Sequence, residues 1–451
     1  MYRRRRLEEV KKMNAPLYDN AGKRQRRRSI FIAASGTIVE WFDYSLFFYL
    51  ATALSQTFYP GMDNSVLLVL ATGAVGFLFR PLGAIVFGHI GDTKGRTVAL
   101  VASAGLMSLA MLGIALMPGY ATLGIWGGIG VLALRALAGF SVGAEYTGIM
   151  VYLMESASPK RRGLTASWAS ANSEVGALLA VGSAALTGAI VGTEALNEWA
   201  WRIPFGVGAL LAAGMIPLRR YMVESPVMHT VQDSSQNTAQ ASPLRAALQN
   251  QRRAVIVSFL ISMVGSATYF LTITYLPTYV ETVHGQGTQT ALNYGVLAAF
   301  AAILVTPLFG LASDYFGRRR TFVGILILVL LLAIPGYWLL SSTALWVIAL
   351  AVVVLAVPAA GWSAVAAAAV PEQFEVRGRY SGMAVGYNLA TVIFGGLTPS
   401  IVTWLTQTTG DALTPAYYAS IIALLGGIPA LILLVDRVRP GAKSITPLDQ
   451  E

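Results

Sequence analysis

Cysteine is absent from the 451 residues, histidine occurs three times, and charged side chains make up only 12% of the chain. Each scarcity removes something. Without Cys no disulfide can form, and the redox compartment leaves no mark. A soluble protein is about one-quarter charged, so half that share cannot cover a water-facing surface, and the chain reads as membrane-embedded. His89, His229 and His284 all lie away from mid-span, so any proton coupling must use carboxylates. Neither H-E-x-x-H nor G-x-x-x-x-G-K-[ST] occurs. A membrane enzyme or a nucleotide-driven pump is therefore not expected, and neither is a metal or cofactor.

What is present is apolar length. Runs of the ~20 residues needed to cross a bilayer recur at 30–57, 66–90, 97–117, 121–153, 164–191, 202–220, 254–281, 291–313, 321–341, 344–370, 380–406 and 415–435. None shows the ten-residue alternation of a membrane barrel. The expected fold is an all-α membrane protein of twelve transmembrane helices. Lys and Arg number 32 against 22 acids, and eleven of them precede residue 29. The others outside the spans fall at 94–96, 160–162, 219–220, 245–253, 318–320, 377–379 and 437–443. Apart from Arg202, these are termini or even-numbered loops. That asymmetry places both termini in the cytoplasm and accounts for the net charge of +10 without nucleic acid. Attraction to anionic membrane lipid follows from it. The polar, Ser/Gln-rich stretch 221–253 divides the spans six and six. The expected organisation is a basic tail (1–28), a six-helix bundle (29–220), a linker (221–253), a second bundle (254–436) and a short tail (437–451).

The halves share a phrase. GHIGDTKGR (88–96) and GLASDYFGR (310–318) both fit G-x-x-x-D-x-x-G-R, with Asp92 and Asp314 lying 222 positions apart. Each lies between the second and third span of its half. A second echo, ESASPKRRG (155–163) and PEQFEVRGR (371–379), follows each fourth span. One such phrase is a glycine turn with anchoring charges; two at equivalent places indicate a duplicated transporter fold with its substrate site between the halves.

These phrases resemble the major facilitator superfamily. The resemblance implies a gate latch, its Asp set against a helix N-terminus and its Arg against a carboxylate: Asp92 and Arg96 in the first half, Asp314 and Arg318 as a vestige in the second. SGTIVEWFDYSLFFYLA (35–51), FRPLGAIVFGHIGD (79–92), RALAGFSVGAEYTG (135–148), EWAWRIPF (198–205) and RGRYSGMAVGYNLATVIFGG (377–396) are similar, more narrowly, to the metabolite:proton symporter family. Its members include α-ketoglutarate, citrate, shikimate and proline/betaine permeases. The osmosensing members carry a long coiled-coil tail, and no heptad repeat follows Asp436 here.

Ionisable groups inside spans are costly, at least ~2.5–3.5 kcal/mol at the helix centre, and normally face a partner or a cavity. Glu40, Asp43, Arg80, Arg135, Glu145 and Glu174 are such groups, all in the first half. Arg80 and Arg135 lie near mid-depth and are candidates to clamp a carboxylate. The competing reading is that Asp43, Glu40 or Glu145 neutralises them internally. Four acids against two bases leave an acid for the proton, with Asp43 and Glu145 first, then Glu40 and Glu174. Tyr44, Tyr269, Tyr387 and Asn388 are further candidates for substrate contact. The function expected is proton-coupled symport of a small organic anion by a monomer in the bacterial inner membrane. Uptake of a zwitterionic osmolyte, antiport, and an uncoupled pore or sensor are the alternatives.

Overall fold

The computed structural model describes residues 20–94, 96–142, 145–220, 250–375 and 379–436, and no strand occurs among them. Helices are what so apolar a chain must form, because in hydrocarbon each backbone N–H and C=O must be satisfied within its own segment. The span helices are α1 (Asn20–Tyr49), α2 (Ser65–Lys94), α3 (Arg96–Leu116), α4 (Ile125–Val142), α5 (Arg162–Val191) and α6 (Arg202–Arg220). After the linker follow α7 (Arg252–Tyr269), α8 (Thr288–Phe316), α9 (Arg318–Leu339), α10 (Leu345–Glu372), α11 (Arg379–Thr391) and α12 (Thr414–Ile422). Ten helices are long and apolar enough to cross a membrane, and the bent pair Thr193–Ala200 and Arg202–Arg219 makes an eleventh. Together with α1, which carries Glu40 and Asp43, they account for the twelve expected spans. Leu186, Leu210, Leu331 and similar side chains are exposed on the outer faces, as lipid contact requires.

The boundaries differ from those expected in two ways. Helix α1 begins at Asn20 rather than near residue 29, and the expected span 30–57 is interrupted at Leu50 before a short helix, Ala51–Phe58. Helices α7 and α11 each run into a π-helical turn, Phe270–Thr274 and Val392–Gly396, before continuing as Leu276–His284 and Thr398–Thr409. Such turns add a residue to the helical repeat and re-aim the side chains beyond it.

Two glycines bring α2 and α4 into backbone contact. A Cβ on Gly139 would coincide with the carbonyl of Gly76, and one on Gly83 with the carbonyl of Phe140. The seam sets Arg80 of α2 and Arg135 of α4 on either side of the Tyr44 ring, 5.0 and 5.2 Å from its centroid. GFSVG (139–143) also has the spelling of a hydrolase nucleophile elbow. Ser141 lies in the last turn of α4, however, and its hydroxyl donates to the Ala138 carbonyl at 2.6 Å, while Gly139 packs on α2, so this part of the motif serves packing.

A topology test follows from the basic-loop asymmetry. In this Cys-free chain, Ala195→Cys and Ser235→Cys are expected to react with an impermeant maleimide from opposite faces. Reaction of both from outside would overturn the orientation.

Candidate functional site

On α1, Glu40, Asp43 and Tyr44 share one face, at the i, i+3, i+4 spacing. That face turns into the first half. Glu40 pairs with Arg80, and Asp43 Oδ2 accepts from Arg135 Nη1 at 2.8 Å with both side chains fully buried. The Arg135 guanidinium also lies 4.7 Å from the centroid of Phe47. Asp43 Oδ1 and Arg135 Nε and Nη2 have no hydrogen-bond partner, so the pair is electrically matched but incompletely satisfied. Arg80 and Arg135 are thus both engaged with acids.

Trp41, one residue on from Glu40, points about 100° away around the helix and lines a central cavity of about 40 Å³ between the halves. Tyr146, Ser170, Ser173 and Glu174 complete its first-half wall, and Ser262, Ser266, Tyr269, Phe270, Ser363 and Tyr387 belong to the second. The rings are contiguous: Trp41 lies 5.2 Å from Tyr269 and 5.8 Å from Tyr146, and Tyr146 lies 5.3 Å from Tyr387. Ser170 joins the halves by donating to the Ser363 carbonyl at 3.0 Å. Arg80 is near enough to Tyr146 and Tyr387 to act on both electrostatically. Glu174 is fully buried in this wall beside Tyr269, whose hydroxyl is the hydrogen-bonding neighbour of its carboxylate, and it has no ion pair among the described residues.

Of the sequence candidates, the structure brings Glu174, Tyr269 and Tyr387 to the cavity. Arg80, Arg135, Glu40, Asp43 and Tyr44 form a layer beside it, and Asn388 is buried but not part of the lining. The side chain of Glu145 lies outside the described residues. Trp41, Tyr146, Phe270 and the serines were not among the candidates. Trp41 and Tyr146 stand inside the quoted phrases EWFD and GAEYTG, so the only signal was adjacency to charged residues.

Both ends of the cavity are closed. At the end bearing the basic loops, Asp314 of α8 accepts from the backbone N–H of Gly163 (2.7 Å) and Leu164 (2.9 Å), the first turn of α5. Those N–H groups have no partner within their own helix, and the positive end of the helix dipole favours the carboxylate. Arg318 bonds Asp314 at 2.8 Å and Ser313 at 2.6 Å, then grips both oxygens of Glu372 at 3.0 and 3.1 Å. Gly163 allows this: a Cβ there would collide with Arg318, Gly310 and Ser313. Arg379 adds a bond to Glu155 at 2.5 Å. The second-half phrase, expected to be a vestige, therefore makes a complete latch. For the first-half phrase, the side chains of Asp92 and Arg96 lie outside the described residues. At the opposite end, Thr52 donates to Glu281 (2.8 Å), Thr278 to the Phe48 carbonyl (3.1 Å) and Gln289 to the Ala185 carbonyl (3.1 Å), each crossing between halves. Arg202 there donates to the Met117 carbonyl and lies over the Trp201 ring, an anchor of the helix start.

Twelve helices in two halves, an aromatic- and serine-lined cavity between them and hydrogen bonds joining the halves at each end define a membrane transporter of the alternating-access type. The model of the Major Facilitator Superfamily matches residues 33–384, and the chain belongs to that family. It is 34% identical to the proline/betaine transporter of Salmonella typhimurium, over 93% of this chain and 86% of the relative. To the citrate-proton symporter of Klebsiella pneumoniae it is 32% identical, over 88% and 89%. Among solved structures, the partially occluded inward-open form of the xylose transporter XylE from E. coli superposes with a TM-score of 0.72, covering 91% of this chain and 98% of that one. At 16% identity that likeness concerns the fold.

Proposed function

We propose that this chain is a proton-coupled symporter that imports a small carboxylate-bearing metabolite by alternating access. Its place is the bacterial inner membrane, with both termini and the latch end cytoplasmic. The observation that carries the reading is the Asp43–Arg135 pair, fully buried beside a closed cavity. A buried pair of this kind is stable while both members are charged. Adding a proton to Asp43 leaves the guanidinium without its counter-charge, and an incoming carboxylate can restore the balance. That is a physical link between proton and substrate. Arg80, which lies with Arg135 against Tyr44 in the layer beside the cavity and acts on the lining Tyr146 and Tyr387, is the group best placed to meet the carboxylate, since a guanidinium offers five donors.

The relatives include carriers of an organic acid and of zwitterions, and both kinds of substrate bear a carboxylate. In this cycle the bundles 29–220 and 254–436 rock about the cavity, breaking one closure at a time. Proteoliposomes with an alkaline interior provide the test. Saturable accumulation of a labelled carboxylate or zwitterion is expected, collapsing when a protonophore abolishes the pH gradient. Flux that neither saturates nor responds to the gradient would make the protein a pore and end the symporter reading.

A further inference from the structure

We infer that Glu174 is the anchor for a positively charged group on the substrate, the residue by which this transporter selects a zwitterion with a cationic head over a simple organic acid. The inference rests on the symporter reading above. Its ground is the contrast between Glu174 and the other buried acids. Glu40 pairs with Arg80, Asp43 with Arg135, and Glu372 and Asp314 with Arg318. Glu281 accepts two threonine hydroxyls. Glu174 is as deeply buried as any of them, yet it has no ion pair among the described residues, and the neutral Tyr269 hydroxyl is the hydrogen-bonding neighbour of its carboxylate. A carboxylate so placed needs a cation or a proton.

The surroundings favour the cation. Trp41, Tyr146, Tyr269, Phe270 and Tyr387 line the same cavity, and ring faces attract a cation within about 6 Å of the centroid. The Ser170 and Ser173 hydroxyls already donate to the carbonyls of Ser363 and Ala169. They keep lone pairs that can accept from a primary ammonium, but an N-methylated head needs no acceptor and presents a surface that rings cover well. Charges of both signs reach this wall, Arg80 acting on Tyr146 and Tyr387 and Glu174 on Tyr146 and Tyr269. A carboxylate that neutralises the substrate's cation cannot hold the transported proton at the same moment. In a symporter that leaves the proton to another of the first-half acids, Asp43 first among them.

The test uses the full chain, purified and reconstituted, with glycine betaine, its isostere with an uncharged head, 3,3-dimethylbutanoate (carbon in place of the quaternary nitrogen), and citrate as probes. Equilibrium binding is measured without a gradient, and accumulation with the interior alkaline. Wild type is expected to prefer betaine to its isostere. Glu174→Gln is expected to weaken betaine binding about 30-fold or more and to remove the preference, and Glu174→Asp to recover part of both. A purely structural Glu would not alter discrimination between molecules of the same shape. Unchanged betaine binding in Glu174→Gln overturns the inference. So does retained betaine binding with loss of gradient-driven accumulation, which would make Glu174 the proton carrier. Accumulation of citrate alone by wild type also overturns it while leaving the symporter reading intact. Wild-type flux indifferent to the pH gradient would overturn the symporter reading itself.

Discussion

Arg135→Gln is expected to abolish concentrative uptake, because it strands Asp43 as a bare carboxylate in a site closed to water. Removing one member of a buried ion pair typically destabilises by about 3–5 kcal/mol. Both side chains here are fully buried and the pair is 2.8 Å long. The upper part of that range applies, since no other cation among the described residues bonds Asp43. The single variant alone would not separate a structural from a coupling role. Combining it with Asp43→Asn removes both charges and keeps the shape, so thermal stability in detergent should return to near that of wild type. Accumulation driven by a pH gradient should not return, although exchange of labelled for unlabelled substrate can persist. A double variant that still concentrates substrate would move the proton site elsewhere, with Glu40 next in line.

The second large effect is expected at the latch on the basic-loop end, which we propose faces the cytoplasm. Asp314→Asn cannot accept from two backbone N–H groups and hold the Arg318 guanidinium at once, because its amide nitrogen only donates. Hydrogen bonds to charged groups are each worth about 1.5–3 kcal/mol, so losing one or more shifts the closed-to-open ratio by about 10- to 100-fold toward the inward-open form. Ser262→Cys, in the cavity wall, reports this in the Cys-free background: from the cytoplasmic side its maleimide reaction should accelerate by at least about 10-fold. Glu372→Gln, which leaves Asp314 on its helix terminus, should give a smaller acceleration. Unaltered labelling in Asp314→Asn would mean that packing, not the latch, keeps that end shut.

The spans, the loop charges and the doubled G-x-x-x-D-x-x-G-R phrase were legible because each is local along the chain. Depth could also be read: Arg80 and Arg135 stand opposite one another as counting residues along their helices suggests. Azimuth could not. Whether a residue meets the cavity or a neighbouring helix depends on how each helix is rotated, and that is decided by contacts far apart in sequence, such as Gly139 on Gly76 and Gly83 on Phe140. Trp41 and Glu40 are adjacent, yet one lines the cavity and the other neutralises Arg80. Tyr269 and Phe270 reach the wall at the start of a π-helical turn, which no residue pattern announced. Glu174 matched no phrase at all. A carboxylate with no ion pair among the described residues leaves no complementary charge for the eye to find.

The π-helical turns have a mechanical consequence. Three of the four among the described residues lie in the second half, within or next to α7, α11 and α12, and the other precedes α6. The backbone seam between α2 and α4, with two ion pairs beside it, belongs to the first half. The halves share an architecture but not a stiffness. Backbone pressed on backbone has no side chain to yield, whereas a widened helical turn can tighten by one hydrogen bond and change a helix's direction. The first half therefore behaves as a firm wall that keeps its charges in register, and the compliance needed to grip and release a molecule resides in the second. Duplication supplied two copies of one fold, and their divergence has made one the frame and the other the spring.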